Sequence, residues 1–332
     1  MRVTPEILTK VAEETVRKRA RADRGLIAAY LHGSVLYERP LLGGAGDVDL
    51  VFIHNQAPQV NREIVRLTEH VHLDIAHHFQ GDYRETRELR LHPWLGPTIC
   101  DATILHDTRH FMDFTQASVR GMFHRPDMVL ERAQGQAEHA RQIWLGYQFN
   151  PPTADREEIT AYLKAVDHAV NAVAGLTGVP LAERRFLLEF PARAQTVGQP
   201  GLYAGALGLL GGPNVDSQTL EGWTNEWGAA LDALDDSRPV RLHPHRRTYY
   251  TRAFDSILAS EQPLDMLWPL MRTWTLVICS LSDEHPAVTA WREACQQLGL
   301  MGEAFAERIQ ALDAYLDLVE ETLEDWGRQQ GA

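Results

Sequence analysis

The chain has 332 residues, 44% hydrophobic and 23% charged, which excludes a disordered polypeptide and leaves room for two domains. Its formal net charge of -13 disfavours a long polyanionic partner, because nucleic-acid affinity rests on cationic contacts to phosphate. Three cysteines, Cys100, Cys279 and Cys295, form neither a disulfide framework nor a zinc-ligand spacing.

Thr4-Pro5-Glu6 starts a helix, with Thr4 as N-cap and Pro5 in the first turn, and Ile7, Leu8, Val11, Ala12 and Val16 continue it at helical period. Gly25 ends it. Residues 26–31 read as a buried strand, 34–36 as the opening of a short helix, and 48–53 as a second strand. Residues 58–71 carry Val60, Ile64, Leu67 and Val71 on one helical face, so the pattern predicts a helix. Residues 72–79 alternate, with Leu73, Ile75 and Phe79 on one side and Asp74 on the other, as a strand does. Residues 102–106 are a fourth strand. The alternation of helix and strand predicts a mixed sheet with helices over residues 1–125.

From residue 126 the strand patterns stop. Helical patterns cover 126–147, 155–176, 181–190, 220–234, 247–260, 264–281 and 304–326, broken by Pro151-Pro152 and by the turn-rich run 208–213. The expected fold is therefore α+β, with a helical bundle over residues 126–332. The stretch 264–281 is the most apolar, and Pro269 and Arg272 within it favour a buried helix over a membrane span. Residues 1–10 lack the apolar core of a signal peptide, and with the cysteine usage this gives a cytoplasmic expectation with no membrane partner.

Asp47 and Asp49 interrupt an otherwise apolar strand. Residues two apart in a strand share a face, so both carboxylates project together. If the strand of Asp74 is a neighbour, three carboxylates converge, a costly arrangement unless cations compensate it. Oxygen ligands of this kind suit Mg²⁺, and a pair of such ions can clamp an in-line phosphoryl displacement. Gly33-Ser34 follows the first strand. Glycine lets the backbone approach a ligand closely, and a serine at a helix N-terminus offers donors to phosphate oxygens.

Gly33-Ser34, a loop, Asp47-Val48-Asp49 in an apolar strand and a later strand Asp74 together resemble the nucleotidyltransferases related to DNA polymerase β. Within them the chain looks most like the two-domain bacterial enzymes, such as the aminoglycoside nucleotidyltransferases, which join a catalytic domain to a C-terminal helical domain. The resemblance spans residues 31–74. It implies a nucleotidyltransferase fold for the mixed sheet and transfer of a nucleoside monophosphate from an NTP to a hydroxyl of a small acceptor, with pyrophosphate release. It further implies that Gly33 and Ser34 hold the nucleotide phosphates, that Asp47 and Asp49 ligate two Mg²⁺ ions, and that Asp74 ligates the catalytic ion and is a candidate general base. Two features depart from the family pattern: a longer loop carrying Gly43-Gly44-Ala45-Gly46, and Gly46 where the family commonly has serine.

Only Lys10, Lys18 and Lys164 are lysines. Lys164 lies off the apolar stripe of the 155–176 helix, and related enzymes use a helical-domain lysine on the triphosphate, so it is a candidate nucleotide ligand beside the alternative of a solvated side chain. Arg184-Arg185 is a comparable basic pair. The histidines at 70, 72, 77 and 78 lack the spacing of a zinc site and read as solvated or hydrogen-bonded. His72 and His78 share the face of Asp74 and are candidates to line a cleft. Two other functions stay open: AMP transfer onto a protein, as in antitoxin members of the superfamily, and a non-catalytic nucleotide-binding sensor.

Overall fold

The computed structural model describes residues 3–37, 40–149, 153, 155–235 and 238–332. The expected Pro151–Pro152 break lies outside them. The chain is α+β, with a five-stranded mixed sheet in its N-terminal part followed by many helices. It divides into two compact units, Met1–Met128 with His243–Ala253, and Val129–Leu242 with Phe254–Ala332.

In the first unit, α1 (Pro5–Ala22) begins where expected: the Thr4 hydroxyl accepts the Ile7 N–H at 3.4 Å. The strands are β1 (Leu26–His32), β2 (Gly46–His54), β3 (Arg62–Arg66), β4 (Val71–Phe79) and β5 (Thr103–Asp107), with α2 (Thr86–Leu91) and α3 (Leu95–Asp101) before β5 and α4 (Phe111–Phe123) after it. The sheet order is β3-β4-β2-β1-β5. β2 and β4 run parallel, and the other pairs are antiparallel.

The helix expected over 58–71 is a strand followed by a turn. Ile64 and Val65 are β-branched and sit in β3, which hydrogen-bonds to β4 with Ile64 opposite Asp74. Thr68 then closes the turn, its hydroxyl accepting the Val71 N–H at 3.0 Å and the Thr68 N–H donating to the Val71 carbonyl at 2.9 Å. The three-and-four spacing of Val60, Ile64, Leu67 and Val71 is misleading: Val60 and Leu67 are exposed, while Ile64 is buried from β3 and Val71 from β4.

Both faces of the sheet are covered. Leu8, Ala12 and Val16 of α1 pack with Ala29, Leu31, Leu50, Phe52, Leu73 and Ile75. Ala28, Tyr30, Val51 and Ile53 point the other way, onto Leu89, Ile99, Met112 and Val119 of α2, α3 and α4. By strand parity Asp47 and Asp49 belong to this second face. Burying these apolar side chains on both faces contributes about 1.5–3 kcal/mol for each large one and fixes the register of β2.

The second unit is helical among its described residues. It contains most of α5 (Pro126–Phe149), then α6 (Arg156–Ala174), α7 (Phe186–Thr196), α8 (Gly201–Leu209), α9 (Ser217–Asp232), the end of α10 (Arg247–Leu258), α11 (Leu267–Ile278), α12 (Pro286–Leu298) and α13 (Glu303–Gln330). Asp155 caps α6 by accepting the Glu158 N–H at 2.9 Å. Ile159, Leu163, Val166, Val170 and Val173 form its buried stripe, as the periodicity predicts. α8 and α12, like α2, α3 and α4 in the first unit, are not among the helices expected from the sequence. No helix among the described residues is long and apolar enough to cross a membrane.

Candidate metal centre

The parallel register of β2 and β4 builds the site. Asp47 lies opposite His72, and Asp49 opposite Asp74. On the other side of β2, Asp49 lies opposite His32 at the end of β1. Paired residues share a face, so His32, Asp47, Asp49, His72 and Asp74 all project from one patch. The three carboxylates expected to converge do so, because β4 is the direct neighbour of β2.

Asp47, His72 and Asp74 are each at most 5% exposed, and one ligand atom from each lies within 4.8 Å of the others. This group is able to hold a metal ion. It differs from the expected three-carboxylate set: His72, expected only to line a cleft, belongs to it, and Asp49 does not. Of the other histidines, His77 Nε2 bonds Glu63 Oε1 at 3.2 Å and His78 Nδ1 bonds the Tyr83 hydroxyl at 2.6 Å, which matches the hydrogen-bonded reading.

Two arginines complete the charge balance. Arg62 Nε donates to Asp74 Oδ1 at 2.5 Å, and Arg246 Nη1 donates to Asp74 Oδ2 at 3.0 Å. Arg246 Nη2 is also 3.7 Å from Asp47 Oδ2. The Arg246 guanidinium lies 4.9 Å from the Tyr249 ring centre, and Tyr249 meets the His72 ring edge-on at 5.3 Å. The 243–253 segment thus supplies one cation and one aromatic wall. Neither arginine was expected at the site. Arg62 sits in the segment read as a helix, and Arg246 is 172 residues from Asp74, with no local pattern linking them.

The electrostatics follow from this packing. Burial pushes the Asp49 carboxyl well above its ordinary range, and the charges of Asp47 and Asp74 push it further, against Arg246 and Arg62. Burial lowers the His32 imidazole to about 4 despite Asp74 and Asp47, so it is neutral near pH 7. Burial opposes the charge on Arg246, but Tyr250, Tyr249, Asp47 and Asp74 outweigh it, and its pKa is raised well above the ordinary value.

Gly33 stands at φ +75°, a region that favours glycine, and a Cβ there would run into the Asp49 carboxylate. The space glycine opens is therefore already used by Asp49. Ser34 Oγ is buried and has no hydrogen-bond partner among the described residues, so the hydroxyl has donor capacity to spare. Gly43 (φ +61°) and Gly44 (φ +78°) form the two-residue turn of a tight hairpin, with Leu42 and Ala45 exchanging bonds of 3.0 and 3.1 Å. A Cβ on Gly46 would fall 2.7 Å from Leu41 Cδ2, so a serine there would require the Leu41 side chain to shift.

Lys164 belongs to the second unit, exposed on α6 and off the buried stripe as expected. Arg184 is buried in that unit. Gly33, Ser34, Asp47, Asp49 and Asp74 are thus brought together in one unit, and Lys164 is not part of that unit. No protein-family model and no curated protein matches the chain.

Proposed function

We propose that the chain is a divalent-cation-dependent nucleotidyltransferase that moves a nucleoside monophosphate from an Mg²⁺–NTP complex to a hydroxyl of a small acceptor. The observation that carries this reading is the convergence of Asp47, Asp49 and Asp74 on one face, with Gly33 packed against the Asp49 carboxylate and the next residue, Ser34, keeping a buried, unsatisfied hydroxyl. The donor set fits a cation: two buried carboxylates and an imidazole offer ligand atoms within 4.8 Å. When bound, divalent ions would screen charge on the transferring phosphoryl group and lower the pKa of the attacking hydroxyl.

The residues then divide the remaining work. Ser34 Oγ donates to a phosphate oxygen. The acceptor oxygen attacks the α-phosphorus, the bond from that phosphorus to the oxygen bridging it to the β-phosphorus breaks, and pyrophosphate leaves with the electron pair. Both oxygens of Asp74 already accept from guanidiniums, which leaves the hydroxyl proton to Asp49. Lys164 stays the candidate triphosphate ligand that the resemblance implies. A net charge of -13 favours a small acceptor over a polynucleotide. The full three-carboxylate set also favours an enzyme over a nucleotide sensor.

The test is incubation of the full chain with each NTP, Mg²⁺ or Mn²⁺, and an acceptor library that includes aminoglycosides and proteins. Mass spectrometry should find a small hydroxyl compound heavier by one nucleoside monophosphate. Nucleotide binding with no modified acceptor of any kind would support the sensor, and a modified protein would support AMP transfer.

A further inference from the structure

The donor set at the cluster names the class of ion. Asp47 and His72 are register partners on adjacent parallel strands, and Asp74 lies two residues beyond His72 on the same face, so the imidazole stands between two carboxylates by construction of the sheet. The three ligand atoms lie within 4.8 Å of one another. Tyr249, edge-on at 5.3 Å, holds the imidazole from the side. Mg²⁺ prefers an all-oxygen shell and gives up water reluctantly, whereas imidazole suits Zn²⁺, Fe²⁺ and Ni²⁺, and Mn²⁺, the weakest binder of the first-row series, still accepts a nitrogen ligand more readily than Mg²⁺.

Charge limits the number of ions. Asp47, Asp49 and Asp74 carry at most three negative charges, and Arg62 and Arg246 bring two positive ones into contact with them. The remainder is one negative charge at most. One divalent ion turns that into a single positive charge. A second would leave three positive charges in a buried site, with no phosphate to offset them.

We propose that, without nucleotide, Asp47, His72 and Asp74 hold one transition-metal divalent cation through the His72 imidazole, while Arg246 supplies the positive charge that a second ion would otherwise carry. The second ion of the transfer reaction then arrives with the NTP phosphates. This assignment rests on the cation-binding part of the proposed function and is independent of the transfer step.

The test is titration of the full chain, stripped with chelator, with Mn²⁺ alone. Electron paramagnetic resonance should count one bound ion per chain, and its pulsed form should show coupling to a directly bonded nitrogen. Mg²⁺ at a hundredfold excess should fail to displace it. His72→Gln should lose the nitrogen coupling and weaken Mn²⁺ binding at least tenfold. Two equivalent ions, an all-oxygen shell, displacement by equimolar Mg²⁺, or unchanged binding in His72→Gln would each overturn the assignment. Should His72→Gln fail to fold, the wild-type stoichiometry and nitrogen coupling decide alone. A nitrogen-bound ion in a chain that transfers no nucleotide would remove the transferase reading and leave this one standing. Transfer supported by an oxygen-only ion would do the reverse.

Discussion

Asp49 and Asp74 are register partners of the same charge, yet replacing each by asparagine should move stability in opposite directions. The Asp74 side chain is 1% exposed, and its two oxygens accept from Arg62 at 2.5 Å and Arg246 at 3.0 Å. Asparagine keeps one acceptor oxygen and no charge. Arg62 is 44% exposed and regains water, so its share is small. Arg246 is 9% exposed and would lose its nearest counter-charge in a buried site. Breaking a buried pair costs about 3–5 kcal/mol. That corresponds to a fall in melting temperature of roughly 6–20 °C for a unit of this size.

Asp49 has the reverse balance. Its pKa is raised by burial and by Asp47 and Asp74, so the folded chain holds the proton more tightly than the unfolded chain does. Its ionisation therefore opposes folding, fully at pH above the raised value and not at all below the unfolded value of about 4. Asp49→Asn should melt at or above the wild-type temperature at pH 7–8, and the difference should vanish near pH 4. Circular-dichroism melts in metal-free buffer at both pH values measure this. An Asp74→Asn chain as stable as wild type, or two shifts of the same sign at pH 7–8, would refute the charge balance described for the cluster.

Three other outcomes are expected. Lys164→Ala should weaken NTP binding by roughly tenfold in calorimetry, the size of a lost charge-assisted bond, with little change in melting because the side chain is exposed; unchanged affinity would return Lys164 to a solvated role. DNA and RNA oligonucleotides should give no gel shift at physiological salt, given the -13 charge, and tight salt-sensitive binding would overturn the small-acceptor reading. His168, its imidazole bonded to the Gln136 side-chain carbonyl, is held down to about 4 by burial and by His139, Lys164 and Arg272, so stability should fall as pH drops from about 6.5 towards 4; His168→Gln should flatten that fall in urea titrations.

What the sequence made legible depended on how local the cause was. α1 and α6 carry their caps and apolar stripes within a few residues, and both form as read. β2 and β4 declare themselves by apolar runs and alternation, and the parallel pairing of the two strands then brings Asp47, Asp49 and Asp74 together. β3 reads as a helix because Ile64 fits a helical spacing with Val60, Leu67 and Val71 as well as it fits a strand, and pairing with β4 decides between them. α4 buries Thr115 and Gln116 on its inner face, which hides its period, and α8 is a glycine-rich segment with little amphipathic contrast. α12 is different: Val288, Trp291, Cys295 and Leu298 after Pro286 were a readable pattern. At the site, Gly33, Ser34 and the carboxylates came from a short motif. The cations that balance them come from β3 and from the 243–253 segment, and only the folded chain connects those to the motif.

The most direct test of the central claim is pyrophosphate release by the full chain and by Asp47→Asn and Asp49→Asn, with Mg²⁺–NTP, Mn²⁺ and a hydroxyl acceptor found by the library screen. The account predicts acceptor-dependent release by the wild-type chain, loss of at least a hundredfold in each variant, and no release in chelator. Release that continues at the wild-type rate in either variant, or that is indifferent to the metal, would contradict it.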